Sequence, residues 1–134
     1  MDLKTLSIDN DPVDFELIHL KTGEKTGVVF HLVGLDHERP KEVERRQAKQ
    51  KIQRAQKSGS LNKVIKTWDF DEAQQQKVEI ICACISGWKG LTKDEKELKY
   101  TPQAALDLLS DPKLAWIVEE IEKFVTDRAN FMKG

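Results

Sequence analysis

Long apolar runs are missing from this chain. The longest, Ile80 to Ile85, falls far short of the roughly 18 residues that a membrane-spanning helix needs. Cysteine is scarce too, with only Cys82 and Cys84. Two positions apart on a helix, they point in different directions and neither bridge nor share a metal, so they read as free thiols of a reducing compartment. No excess of one charge exists: 22 Lys and Arg face 23 Asp and Glu, a net charge of -1, which gives no global field for nucleic acid or membrane. Residues 1–12 carry Asp2, Asp9 and Asp11 and no apolar stretch, unlike a secretory leader. His19, His31 and His37 lack the close His or Cys spacing of a metal site. Neither a nucleophile elbow nor a glycine-rich phosphate loop is present, and Gly-Trp-Lys-Gly at 87–90 lacks the glycine spacing of a dinucleotide site. No enzyme, no cofactor and no metal are expected, and the chain reads as soluble and intracellular.

What is there fits one domain, 1–134, of 15.4 kDa. With 39% apolar and 34% charged residues and a mean hydropathy of -0.56, it suits a helix-rich protein with wide solvated faces. Val13 to Leu20 and Gly27 to Val33 are rich in β-formers around the polar linker at 21–26, which predicts an antiparallel hairpin within 1–35. Leu3 to Ile8 is a candidate third strand. A basic helix is expected over 36–58, with Pro40 in its first turn, Val43, Ala48 and Ile52 as nearly all it can bury, and Ser58-Gly59-Ser60 as its end. Leu61 to Phe70 reads as irregular. The region 71–134 reads as helical, beginning with a helix capped by Asp71 that runs to about Ile85 and stops at Gly87. A charged loop follows over 93–99. Thr101-Pro102 and Asp111-Pro112 then mark two helix starts, the second opening an amphipathic stripe of Leu114, Ile117, Val118, Ile121, Phe124 or Val125, and Arg128. The class is therefore α+β and mostly helical: a small β-hairpin followed by four or so helices.

Two features invite a partner. Between Arg39 and Lys57 eight cations meet only Glu42 and Glu44, a local charge of +6. Such a helix meets phosphates, meets an acidic protein, or is simply solvated. Arg45, Arg46 and Lys49 are its candidate contacts. The aromatics Trp68, Trp88 and Trp116 read first as core, but Trp88 on the expected turn between glycines and Trp116 beside the last stripe are also contact candidates. Phe131, with Met132, reads as an exposed apolar pair suited to docking.

Residues 71 to 131 resemble the tail assembly chaperones of long-tailed, siphovirus-type bacteriophages. The matching elements are Ile85-Ser86-Gly87-Trp88, Tyr100-Thr101-Pro102, Ala104-Ala105-Leu106-Asp107-Leu108-Leu109, Trp116-Ile117, Phe124-Val125 and Asn130-Phe131. The resemblance implies a homo-oligomeric, cofactor-free protein of the host cytoplasm. Such a protein binds the tape measure protein, keeps it soluble, assists tail tube assembly and leaves before the virion matures. It implies contact with the tail tube protein and, in many phages, a frameshift-extended form. Two alternatives remain open: a nucleic-acid-binding regulator that uses residues 39–57, and a minor tail or connector protein that stays in the particle.

Overall fold

A computed structural model describes residues 2–58 and 70–132. Its first regular element is a four-residue helix, α1 (Leu3–Leu6), rather than a strand. Only Ile8, just beyond it, makes an isolated bridge, to Met132. Next come β1 (Val13–Ile18) and β2 (Lys25–Leu32), the expected hairpin. Val13, Phe15 and Leu17 alternate inward on β1, as do Val28, Phe30 and Leu32 on β2, as a sheet with one buried face requires. The turn closes through His19 N–H to the Glu24 carbonyl and Gly23 N–H to the His19 carbonyl, with Gly23 in the left-handed region at φ 70°.

The sheet has a third strand that sequence periodicity hides. The helix α3 (Phe70–Cys84) runs straight into β3 (Ile85–Lys89), which pairs antiparallel with β2 to give the order β1-β2-β3. Gly87 is therefore not a helix stop. It lies opposite His31 in the ladder, and an added Cβ there would press on the His31 ring at 3.3 Å. Asp71 and Glu72 lie in the first turn of α3. The expected charged loop contains a miniature hairpin, β4 (Thr92–Lys93) and β5 (Lys96–Glu97), turned by Asp94 and Glu95 at positive φ. Gly90 lies so close to the neighbouring backbone that a Cβ would come within 2.2 Å of the Gly27 carbonyl oxygen.

Helix α2 (Glu38–Ser58) precedes α3. After the small hairpin come α4 (Pro102–Ser110), a 3-10 turn at Pro112–Leu114, α5 (Ala115–Thr126) and a last 3-10 turn at Arg128–Phe131. Among the described residues the architecture is thus a hairpin followed by four helices. Thr101 caps α4 by accepting from Ala104 N–H at 2.9 Å. Asp111 accepts from Lys113 N–H and starts the 3-10 turn, with α5 beginning only at Ala115. The core lies between the inner sheet face and α3, α4 and α5, where Phe30, Leu32, Val78, Ile81, Leu109, Val118, Ile121 and Val125 are buried together. Burying each such side chain contributes about 1.5–3 kcal/mol before conformational entropy is counted.

Candidate functional site

The contact candidates divide into those that the core has taken and those left at the surface. Trp88 belongs to the core. It stands on β3 at 9% exposure, edge-on to Phe30 and Tyr100, and its indole N–H donates to the Leu98 carbonyl at 2.8 Å. The glycines around it provide a strand and a close approach, not a turn that displays it. Phe131 is likewise not an exposed docking residue. At 2% exposure its ring lies against Gly34 and edge-on to Phe124, while its carbonyl accepts from Asp9 N–H. Met132 alone of that pair is exposed. Trp116 is half-buried and packed on the core. Trp68 and residues 59–69, which include most of the segment read as irregular, lie outside the described residues, and Phe70, the last residue of that segment, is the first of α3.

Arg45, Arg46 and Lys49 stay exposed on α2. This helix is held by polar contacts. Gln47, buried, donates to the Gln76 carbonyl and to the Glu79 carboxylate on α3; Arg54 pairs with Glu72. Of the apolar residues expected to bury, Val43 is half-buried, whereas Ala48 is exposed and Ile52 is 59% exposed; Pro40 is buried instead. The reason is geometric: Pro40, Val43, Gln47 and Arg54 share the face turned to α3, while Ala48 and Ile52 point away from it.

Arg39 has a role that its charge does not reveal. Its guanidinium donates twice to the Ala83 carbonyl and once to that of Ile85, and Tyr100 Oη–H also donates to Ile85 O at 2.9 Å. Val33 N–H donates to the Cys84 carbonyl. A helix that enters a strand without a capping turn leaves its last carbonyls unpaired, and these groups satisfy them. The sequence held no signal for this, because Gly87 read as the helix stop and only the passage of α3 into β3 shows that distant donors are needed.

Two other α2 cations are also engaged: Lys41 with Glu44, and Arg45 with Glu38 at 2.6 Å. The Arg45 guanidinium holds the Glu38 carboxyl below its ordinary range, through the hydrogen bond first and the charge second. Arg46, Lys49 and Lys51 have no acidic partner among the described residues. Beside Arg46 lies an open groove of about 440 Å³, lined by Arg39, Arg46, Glu79, Cys82, Ala83, Tyr100, Pro102 and Leu106. Its walls are mostly apolar, and its rim along α2 is cationic.

The thiols are free, Cys84 buried and Cys82 half-buried. Burial pushes both up to about 12, so neither forms the thiolate that nucleophilic chemistry requires near neutral pH. Among the described residues no three His, Cys, Asp or Glu side chains cluster closely enough to hold a metal. No helix among them is long and apolar enough to cross a membrane. His31 is spent on a 2.6 Å cross-strand contact with Asp14, and His19 and His37 accept from nearby backbone N–H groups.

No curated protein and no solved structure matches the chain. A family model described as YdaY prophage protein does match, over residues 38–134. The matched part begins at the first residue of α2 and takes in α3, β3, the groove and both C-terminal helices, leaving only α1 and the β1-β2 hairpin outside. The chain is phage-derived, and it belongs to the YdaY prophage protein family.

Proposed function

We propose that this protein is a phage tail assembly chaperone. It binds the tape measure protein in the host cytoplasm, keeps it soluble, assists tail tube assembly and is absent from the mature virion. It works by contact, without catalysis or cofactor. The observation that carries the reading is the solvent face of α2, where Arg46 and Lys49 have no acidic partner among the described residues and Arg46 borders a mostly apolar groove. Charge at the rim with apolar surface beside it suits an amphipathic helical client, since the client's greasy stripe is shielded while the complex stays charged. The phage origin of the family is consistent with this role.

The spacing along α2 favours protein over nucleic acid as the partner. Glu38, Glu42, Arg45 and Lys49 follow one another at helical intervals on a single stripe. A phosphate backbone would be repelled by the acidic half, whereas a protein surface can present charges of both signs.

Co-expression with a tape measure fragment tests the proposal. Wild-type protein is expected to shift the fragment into the soluble fraction, and the triple variant Arg45→Glu, Arg46→Glu, Lys49→Glu is expected to lose most of that effect while keeping its native circular dichroism. A folded triple variant that solubilises the fragment as well as wild type does overturns the assignment. Trp88→Ala is unsuited to this purpose, because it removes a core residue. Retarded duplex DNA at physiological salt, lost in the same triple variant, would move the function to nucleic-acid binding.

A further inference from the structure

The groove between α2, α3 and α4 and the short helix α1 are two unfinished surfaces of opposite character. On α1, Leu3 is 78% and Leu6 50% exposed; three residues apart, they lie on one side of a helical turn. The surrounding segment is acidic: residues 2–12 contain Asp2, Asp9 and Asp11 against Lys4, a net -2. The groove has the reverse pattern, with apolar lining from Ala83, Cys82, Pro102 and Leu106 beside Arg46, which has no acidic partner among the described residues. The whole chain follows the same polarity. Residues 39–57 carry +6 in a protein of net -1, so the remainder carries -7.

We infer that the protein self-associates head to tail, with Leu3 and Leu6 of one copy seated in the groove of the next and the acidic 2–12 segment facing Arg46 and Lys49. The occupant of the groove is thus a second copy of this chain. Each half of the contact supplies what the other lacks: leucines meet an apolar lining, and carboxylates meet cations that have no acidic partner among the described residues. Glu79, the single acid of the groove, is already held by Gln47, so its charge is partly compensated. Because the two patches differ, the contact is heterologous. It leaves one free knob and one free groove on every dimer, and growth continues until a ring closes or a filament forms. This inference shares the groove and Arg46 with the chaperone reading, so a client and a second copy would compete for them; the Leu3→Asp, Leu6→Asp variant, which leaves the groove intact, tells the two apart.

Sedimentation velocity over a wide concentration series tests it, using the full chain and two variants. Wild type is expected to grow beyond a dimer, with association weakening as salt is raised. Leu3→Asp with Leu6→Asp removes the knob, and Arg46→Glu blocks the groove; each is expected to weaken self-association at least about tenfold, the loss of one well-placed contact. Mixed together, the two variants retain one intact knob and one intact groove. They should form a one-to-one dimer and nothing larger. A wild type that stays monomeric at every concentration overturns the inference, as do variants that associate like wild type or a mixture that remains monomeric. Circular dichroism melts of both variants establish that they fold. Loss of assembly with retained client solubilisation would leave the chaperone role standing, and the converse would leave only the assembly.

Discussion

Helices α2 and α5 show how differently two helices of one small protein are held. The twelve residues of α5 bury Ile117, Val118, Ile121 and Val125 against the sheet and its neighbours. Among its described side chains, the longer α2 buries Pro40 and Gln47 and relies on Arg39, Gln47 and Arg54 for its attachment. Stability in α5 comes from apolar area, which is insensitive to salt. In α2 it comes from directional polar bonds, most of them near solvent, where exposed ion pairs contribute little. The difference suits the division of labour proposed above, with one helix fixing the core and the other offering its surface to partners.

Mutations separate the two regimes, and the largest effects belong in the core. Ile121→Ala and Phe30→Ala should cost about 2–5 kcal/mol each, through lost transfer energy and the cavity left behind; urea melts would measure this, and a cost near zero would contradict the packing described. Gln47→Ala should cost less, about 1–3 kcal/mol, because the Gln76 carbonyl and Glu79 carboxylate lose a buried donor. Native-state hydrogen exchange should show amides of α5 opening with the whole protein and those of α2 opening at lower free energy. Equal protection of the two helices would erase the contrast drawn between them.

Alkaline pH gives a further test. Burial raises Cys82 and Cys84 from 9.0 to about 12, so between those values the unfolded chain loses thiol protons that the folded chain keeps. The sign follows from linkage: stability is unaffected by these thiols below pH 9.0 and declines as pH rises toward 12. The double variant Cys82→Ala, Cys84→Ala should show a flatter decline over that window; an identical slope would mean that the thiols titrate freely. The smallest change is expected for Ile52→Ser, within about 0.5 kcal/mol, since Ile52 is exposed and α2 does not use it for packing.

Much of this architecture was readable from local chemistry. The hairpin follows from two β-rich runs around a polar linker, α4 from Thr101-Pro102, and the stripe of α5 from its period. Trp88 was legible as core by its residue type, though not in its place on a strand, and Phe131 was not legible as core at all. Both sit next to glycines or a chain end, where burial depends on which distant residues close over them: Leu98 and Tyr100 in one case, Gly34 and Phe124 in the other. The cations of the candidate surface could be counted, but not sorted. Arg39 turned out to serve backbone carbonyls 44 and 46 residues away, while Arg46 was left at the rim of the groove.

The sequence alone determined which segments become helix or strand wherever turn residues, caps and hydrophobic period act within a few positions of one another. It also set the charge contrast between residues 39–57 and the rest, because charge is a property of composition. Only the tertiary structure decided that Ile85–Lys89 would be a strand, since its partner is β2, more than fifty residues earlier in the chain by the register of His31 with Gly87. It likewise decided which cations are consumed and which stay free, because a long side chain finds its acceptor through space and the chain order carries no record of that distance.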